Sequence, residues 1–197
     1  MTRPNLRKAS IGLCVHSGWA ALVALAAPVD APEVIARRRI EIADPGIRGS
    51  KQPYHAAEPM EFADAQAYIE RCAASTRKLA REALRAAIDG LLDKRCEAVV
   101  CGIVMGSGRA LPTLEAILRS HALIHTAEGE FFRNALAEAG EHCGLRVLGV
   151  KAKELSERGS AYLPRVQGMG KALGPPWTQD QKSATLVAWL ALSGFAL

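Results

Sequence analysis

SIGLCVHSGWAALVALAA, residues 10–27, holds two apolar runs, 11–15 and 19–26, parted by His16, Ser17 and Gly18. Short apolar runs bounded by turn residues read as buried strands. The stretch therefore predicts a hairpin. A polar residue at the end of a central strand, just before a glycine turn, points into whatever cleft the sheet edge makes. His16 is the first candidate site residue on that ground, and the rest of the chain reads as arranged around this hairpin.

Working outward, APVDAP (27–32) is a turn, and EVIARRRIEIA (33–43) alternates in part. That alternation predicts a third antiparallel strand, half exposed, with Arg37, Arg38 and Arg39 on or near its outer face. The three arginines read either as a phosphate contact or as charge protecting an edge strand. DPGIRGSKQPYHAAEP (44–59) is rich in Pro and Gly and reads as a loop, where Tyr54 and His55 could line a site. Residues 61–94 space apolar side chains in threes and fours through Phe62, Ala65, Ile69, Cys72, Leu84 and Leu91, which predicts one long amphipathic helix. Its other face carries mixed charge, the mark of a solvated surface.

AVVCGIV (98–104) is the most continuous β-branched run and predicts a central strand, buried on both faces and parallel to the first. MGSGRAL (105–111) then turns sharply. Gly106, Ser107, Gly108 and Arg109 could cradle a phosphate, although the turn lacks both the P-loop lysine and a full GxGxxG. A second long helix is predicted from Pro112 or Thr113 to about His142. It carries His121, His125 and Glu128 at spacings of four and three, so they share a face. The spacing suits metal ligands but is not HExxH; the alternative is a structural face. Gly129 marks close packing or a bend in this helix. LRVLGV (145–150) predicts a fifth strand, 151–162 a polar stretch, and 163–173 a short helix with Val166, Met169 and Leu173 inward. GPPW breaks that helix. A final one over 178–192, with Thr178 as N-cap, packs Leu186, Val187, Trp189 and Leu190 on the sheet.

A chain of 197 residues fits one domain, here 10–197 behind a basic tail, 1–9. No apolar run reaches the ~18 residues of a membrane span, so no membrane partner is expected. The net charge of +5 permits an acidic partner such as nucleic acid. The five cysteines are odd in number, include no CxxC and sit mostly in apolar runs. Reduced thiols in a cytoplasmic protein are expected.

Three antiparallel strands, a helix, a strand, a helix, a strand and a closing helix is the order of the ribonuclease H-like fold. Within it the chain resembles the Holliday junction resolvase RuvC group. VHSGW (15–19) is similar to that family's first-strand IDPG segment, and AVVCGIV to the strand ending in its second acid. RVQGMGKALGPP followed by DQKSATLVAWLAL is similar to its closing segment with a DxxDA helix. The resemblance implies an α/β fold with a five-stranded mixed sheet, order 3-2-1-4-5, and helices on both faces. It also implies a homodimer that binds nucleic acid.

Such nucleases hold two divalent metals with a cluster of carboxylates, which activate water for phosphodiester hydrolysis. Carried over residue by residue, the first-strand Asp falls on His16 and the Glu on Val104 or Met105. Of the closing DxxDA, Asp180 is retained and the second Asp falls on Ser183. One carboxylate of four does not suit two Mg²⁺ ions. The expectation is a divergent relative without the Mg²⁺-dependent activity. Two alternatives stay open. A remodelled site of His16, His125, Glu128 and Asp180, with Ser17 and Ser183 beside it, would take Mn²⁺ or Zn²⁺ rather than Mg²⁺ and could hydrolyse phosphodiesters. Or Gly106, Ser107 and Arg109 bind a phosphate or nucleotide.

Overall fold

In the computed structural model, residues 6–106, 108 and 110–195 are described, without the side chain of Phe195. Ser107 and Arg109, on which the phosphate-cradle expectation rests, lie outside them. The strands are β1 (Arg7–His16), β2 (Trp19–Ala26), β3 (Glu33–Glu41), β4 (Cys96–Met105) and β5 (Arg146–Lys151). They form one sheet in the order β3-β2-β1-β4-β5. The first three run antiparallel, and β4 and β5 lie parallel beside β1. The expected sheet is thus the observed one. Its first strand opens earlier than expected: Arg7 and Lys8, from the basic start, pair with Cys96 and Glu97.

Strand alternation sorts β1 into two faces. Ala9, Ile11, Leu13 and Val15 face α2 (Phe62–Leu92) and α4 (His121–His142), in a core that holds Leu84, Leu91, Phe132 and Leu136. Ser10, Gly12, Cys14 and His16 alternate to the other face. There α7 (Gln179–Phe195) lies on the sheet with Val187, Trp189 and Leu192 buried. Gly12 and Gly102 are partners across β1 and β4. A Cβ on Gly12 would stand 1.9 Å from the Ala184 carbonyl oxygen, and one on Gly102 2.5 Å from that of Val187. Two adjacent glycines thus make a slot in which the α7 backbone rests directly on the sheet.

The second long helix is divided. α3 (Leu114–Leu118), capped by the Thr113 hydroxyl, ends at Arg119, and Ser120 is extended before α4 starts at His121. Across the break, Ile117 packs with Ile124 and Ala127 against Tyr54. The loop expected over 44–59 contains a short helix, α1 (Pro53–Ala57), started by a proline in its first turn. After β5 come α5 (Ala152–Arg158) and α6 (Leu163–Leu173). Among the described residues no helix is long and apolar enough to cross a membrane.

Candidate functional site

His16 ends β1, where its side chain emerges on the α7 side of the sheet. Asp180 lies in the first turn of α7, and His16 Nε2 sits 2.9 Å from its Oδ1. The side chains are 41% and 33% exposed, so the pair lies at the protein surface. Cys14, two residues back on the same face, brings its Sγ to 3.8 Å from the same oxygen. Burial first, then the Asp180 carboxylate, push this thiol up to about 11, so it stays protonated at neutral pH. Trp19, across the hairpin turn, stacks on the His16 ring at 4.4 Å, and the Arg39 guanidinium lies 3.9 Å over Trp19. Ser17 is exposed in that turn, and Ser183 lies 3.5 Å from Gln179 Nε2.

Val104 is buried on the α7 side of β4, whereas Met105 packs toward α2 and α4. The residue on the His16 side of β4 is therefore a valine. A carboxylate reaches the end of this strand from another element: a Cβ on Gly106 would lie 2.3 Å from Glu130 Oε1 and 3.1 Å from Arg133 Nη1. Glu130 and Arg133 are 3.8 Å apart. Gly129 also gives room to this guanidinium, with Arg133 Nη1 only 2.7 Å from where its Cβ would be; the helix runs through it unbroken. The turn at Gly106 is thus faced by both members of an ion pair.

Arg37 has a structural use. Its guanidinium donates to the carbonyls of Leu173, Gly174 and Pro176, at and just past the end of α6. These are among the acceptors that a helix end leaves open.

The expected set of His16, His125, Glu128 and Asp180 does not converge. His125 and Glu128 belong to a second cluster, with His55 and His121. The Glu128 side chain is only 5% exposed. Its Oε1 accepts from the backbone N–H of Tyr54 at 2.8 Å and of His55 at 3.1 Å, and lies 3.2 Å from His55 Nδ1. Burial raises this carboxyl above its ordinary range, against the lowering pull of those hydrogen bonds. His121 and His125 share their α4 face as the spacing predicts, and their Nε2 atoms are 3.1 Å apart. What the spacing missed was His55, brought in by α1. Its proximity to Tyr54 in a Pro-rich stretch was the only signal.

Among the described residues, two groups bring potential metal-ligand atoms within 4.8 Å of one another: Cys14 with His16 and Asp180, and His55 with His121 and His125. The first is a poor fit to a pair of Mg²⁺ ions. It offers one carboxylate, one imidazole and a thiol, where hard cations take several oxygen ligands.

No protein-family model matches the chain, and no curated protein matches it in sequence. Solved structures match it in shape. RuvC of Thermus thermophilus in complex with a Holliday junction substrate superposes with a TM-score of 0.53 at 10% sequence identity, over 93% of this chain and 92% of that one. A second Thermus thermophilus RuvC structure gives a TM-score of 0.50 at 9% identity, over 92% of each chain. With the strand order, the hairpin and the closing helix already in place, the chain has the ribonuclease H-like fold in its RuvC-like form.

Proposed function

We propose that the chain is a divergent RuvC-like protein that associates with nucleic acid and lacks Mg²⁺-dependent resolvase activity. The observation that carries the reading is the donor set at the end of β1. His16 pairs with the one remaining carboxylate, Asp180, while Val104 fills the corresponding face of β4. A site for two Mg²⁺ ions needs carboxylates from both strands to offset four positive charges. Here an imidazole and an apolar side chain stand in their place.

Nucleic-acid binding is supported by the net charge of +5 and by the fold, one example of which is bound to a Holliday junction. Association through phosphate contacts falls steeply with salt. A cytoplasmic location is supported by five free cysteines. A homodimer belongs to the same reading, and light scattering at micromolar concentration tests it. The test of function is a gel-shift series with four-way-junction and duplex DNA at low salt, followed by incubation with Mg²⁺, Mn²⁺ or Zn²⁺. The expected result is a salt-sensitive complex without Mg²⁺-dependent cleavage. Cleavage in Mg²⁺ that disappears in Asp180→Ala would overturn the reading.

A further inference from the structure

We propose that His55, His121 and His125 form a binding site for one divalent transition-metal ion, with Zn²⁺ the best match, and that Glu128 positions His55 within it. The site lies where α1 meets the start of α4. It is separate from the His16–Asp180 pair and stands or falls independently of the function proposed above.

The geometry comes first. The three rings surround a common point. Their centroids are 4.5 to 5.5 Å apart, and every pair meets edge-on, at 65 to 84°. Stacked imidazoles point their nitrogens apart, whereas rings meeting by their edges can direct them at one ion. One nitrogen from each ring falls within 4.8 Å of the others, and the Nε2 atoms of His121 and His125 are 3.1 Å apart. Zn–N bonds of about 2.0–2.1 Å at tetrahedral angles set the nitrogens about 3.3–3.4 Å apart. The α4 pair already has nearly this spacing, and His55 brings a nitrogen within 4.8 Å of both.

The second observation is Glu128. Its Oε1 holds His55 at Nδ1, which leaves Nε2 free to present a lone pair. This is the carboxylate–histidine–metal relay by which proteins fix the tautomer and orientation of a ligating imidazole. Glu128 is buried, and its Oε2 has no hydrogen-bond partner. A buried carboxylate with an unpartnered oxygen is costly, and a dication one imidazole away compensates its charge.

The donors decide the class of metal. Three neutral imidazoles suit Zn²⁺ and its first-row neighbours, not Mg²⁺ or Ca²⁺, which take oxygen. His121 and His125 are exposed, so the fourth position opens to solvent and takes water or an incoming ligand. The bound ion also ties α1 to α4, a link made otherwise through Glu128 and the packing around Tyr54.

The test uses full-length protein without a polyhistidine tag, stripped with a chelator and titrated with ZnCl₂ by calorimetry. The expected result is one equivalent bound and a raised melting temperature. A second titration with Co²⁺ should give the intense visible bands of a tetrahedral site. His121→Ala and His125→Ala change exposed positions that the fold tolerates, and each should weaken binding at least about tenfold. Glu128→Gln, which keeps an oxygen toward His55 but removes the charge, should weaken it by about 10–100-fold. His142→Ala should leave the affinity unchanged. Absence of Zn²⁺ binding at micromolar concentration overturns the proposal. So does binding whose affinity is unchanged in both His121→Ala and His125→Ala.

Discussion

Replacing Gly12 by Ala tests what seats α7 on the sheet. The new methyl carbon would sit 1.9 Å from the Ala184 carbonyl oxygen and 2.7 Å from the Ala188 Cβ. The oxygen belongs to helix backbone, so no side-chain rotation relieves the clash. Restoring ordinary contact takes about 1.5 Å of movement between α7 and β1. That lifts a helix whose Val187, Trp189 and Leu192 are among the most buried side chains of the protein. Overpacking of a core costs about 1–3 kcal/mol when side chains can adjust; with backbone on one side and a strand on the other, the upper end applies. At about 2–4 °C per kcal/mol for a chain of this size, the melting temperature should fall by about 6–12 °C. Gly102→Ala, whose Cβ would stand 2.5 Å from the Val187 oxygen, should fall less steeply. Gly90→Ala is the control. It lies in α2 with nothing within 4 Å of its Cβ and should gain about 0.5–1 kcal/mol. Differential scanning fluorimetry reads all three. A Gly12→Ala melting temperature within about 2 °C of the parent would refute the tight seat. Because α7 carries Asp180, the same shift should also loosen its contact with His16.

Trp189→Phe removes the 2.8 Å hydrogen bond donated to the Val29 carbonyl and should cost about 1–3 kcal/mol in urea unfolding. Arg37→Ala frees the carbonyls of Leu173, Gly174 and Pro176. It should lower stability without changing the slope of DNA affinity against salt, a slope that loss of a phosphate contact would reduce by about one. Burial pushes the Cys101 thiol from 9.0 up to about 12, so between these pH values the unfolded chain loses a proton that the folded one keeps. Stability then falls as pH rises through that window, and melting curves for Cys101→Ala should decline less steeply there than the parent's.

The fold was largely legible in the sequence because its signals are local. The runs 11–15 and 19–26 and the β-branched 98–104 each identify a strand without reference to the rest of the chain. Their order then restricts the sheet to few arrangements. The division between α3 and α4 was not legible, since a helical period runs on through Arg119 and Ser120 in the sequence. The contact that accompanies the break is tertiary: Ile117 and Ile124, on either side of it, pack beside Tyr54. The seat of α7 was hidden for a similar reason. Gly12 and Gly102 are unremarkable in separate strands and acquire a meaning only when register places them side by side. The histidines divide in the same way. Spacing placed His121, His125 and Glu128 on one face, but no local pattern could bring in His55. The pairing of His16 with Asp180, 164 residues away, came into view only through the resemblance of both segments to one family.

Charge at the carboxyl ends of β1 and β4 follows from these placements. A pair of divalent ions at such a sheet edge is held because several carboxylates there repel one another without it. In this chain β1 contributes an imidazole and a thiol that stays protonated at neutral pH, β4 contributes a valine, and α7 one carboxylate. The other acid, Glu130, arrives from α4 with Arg133 at 3.8 Å, so its charge is offset within the protein. The Arg133 guanidinium is itself close enough to Cys14 to oppose the rise of that thiol. The edge is thus built from side chains of four elements, with the Asp180 carboxylate beside His16 and that of Glu130 paired to Arg133. The seat of α7 on the sheet is a matter of packing: Gly12 and Gly102 let its backbone rest directly on β1 and β4.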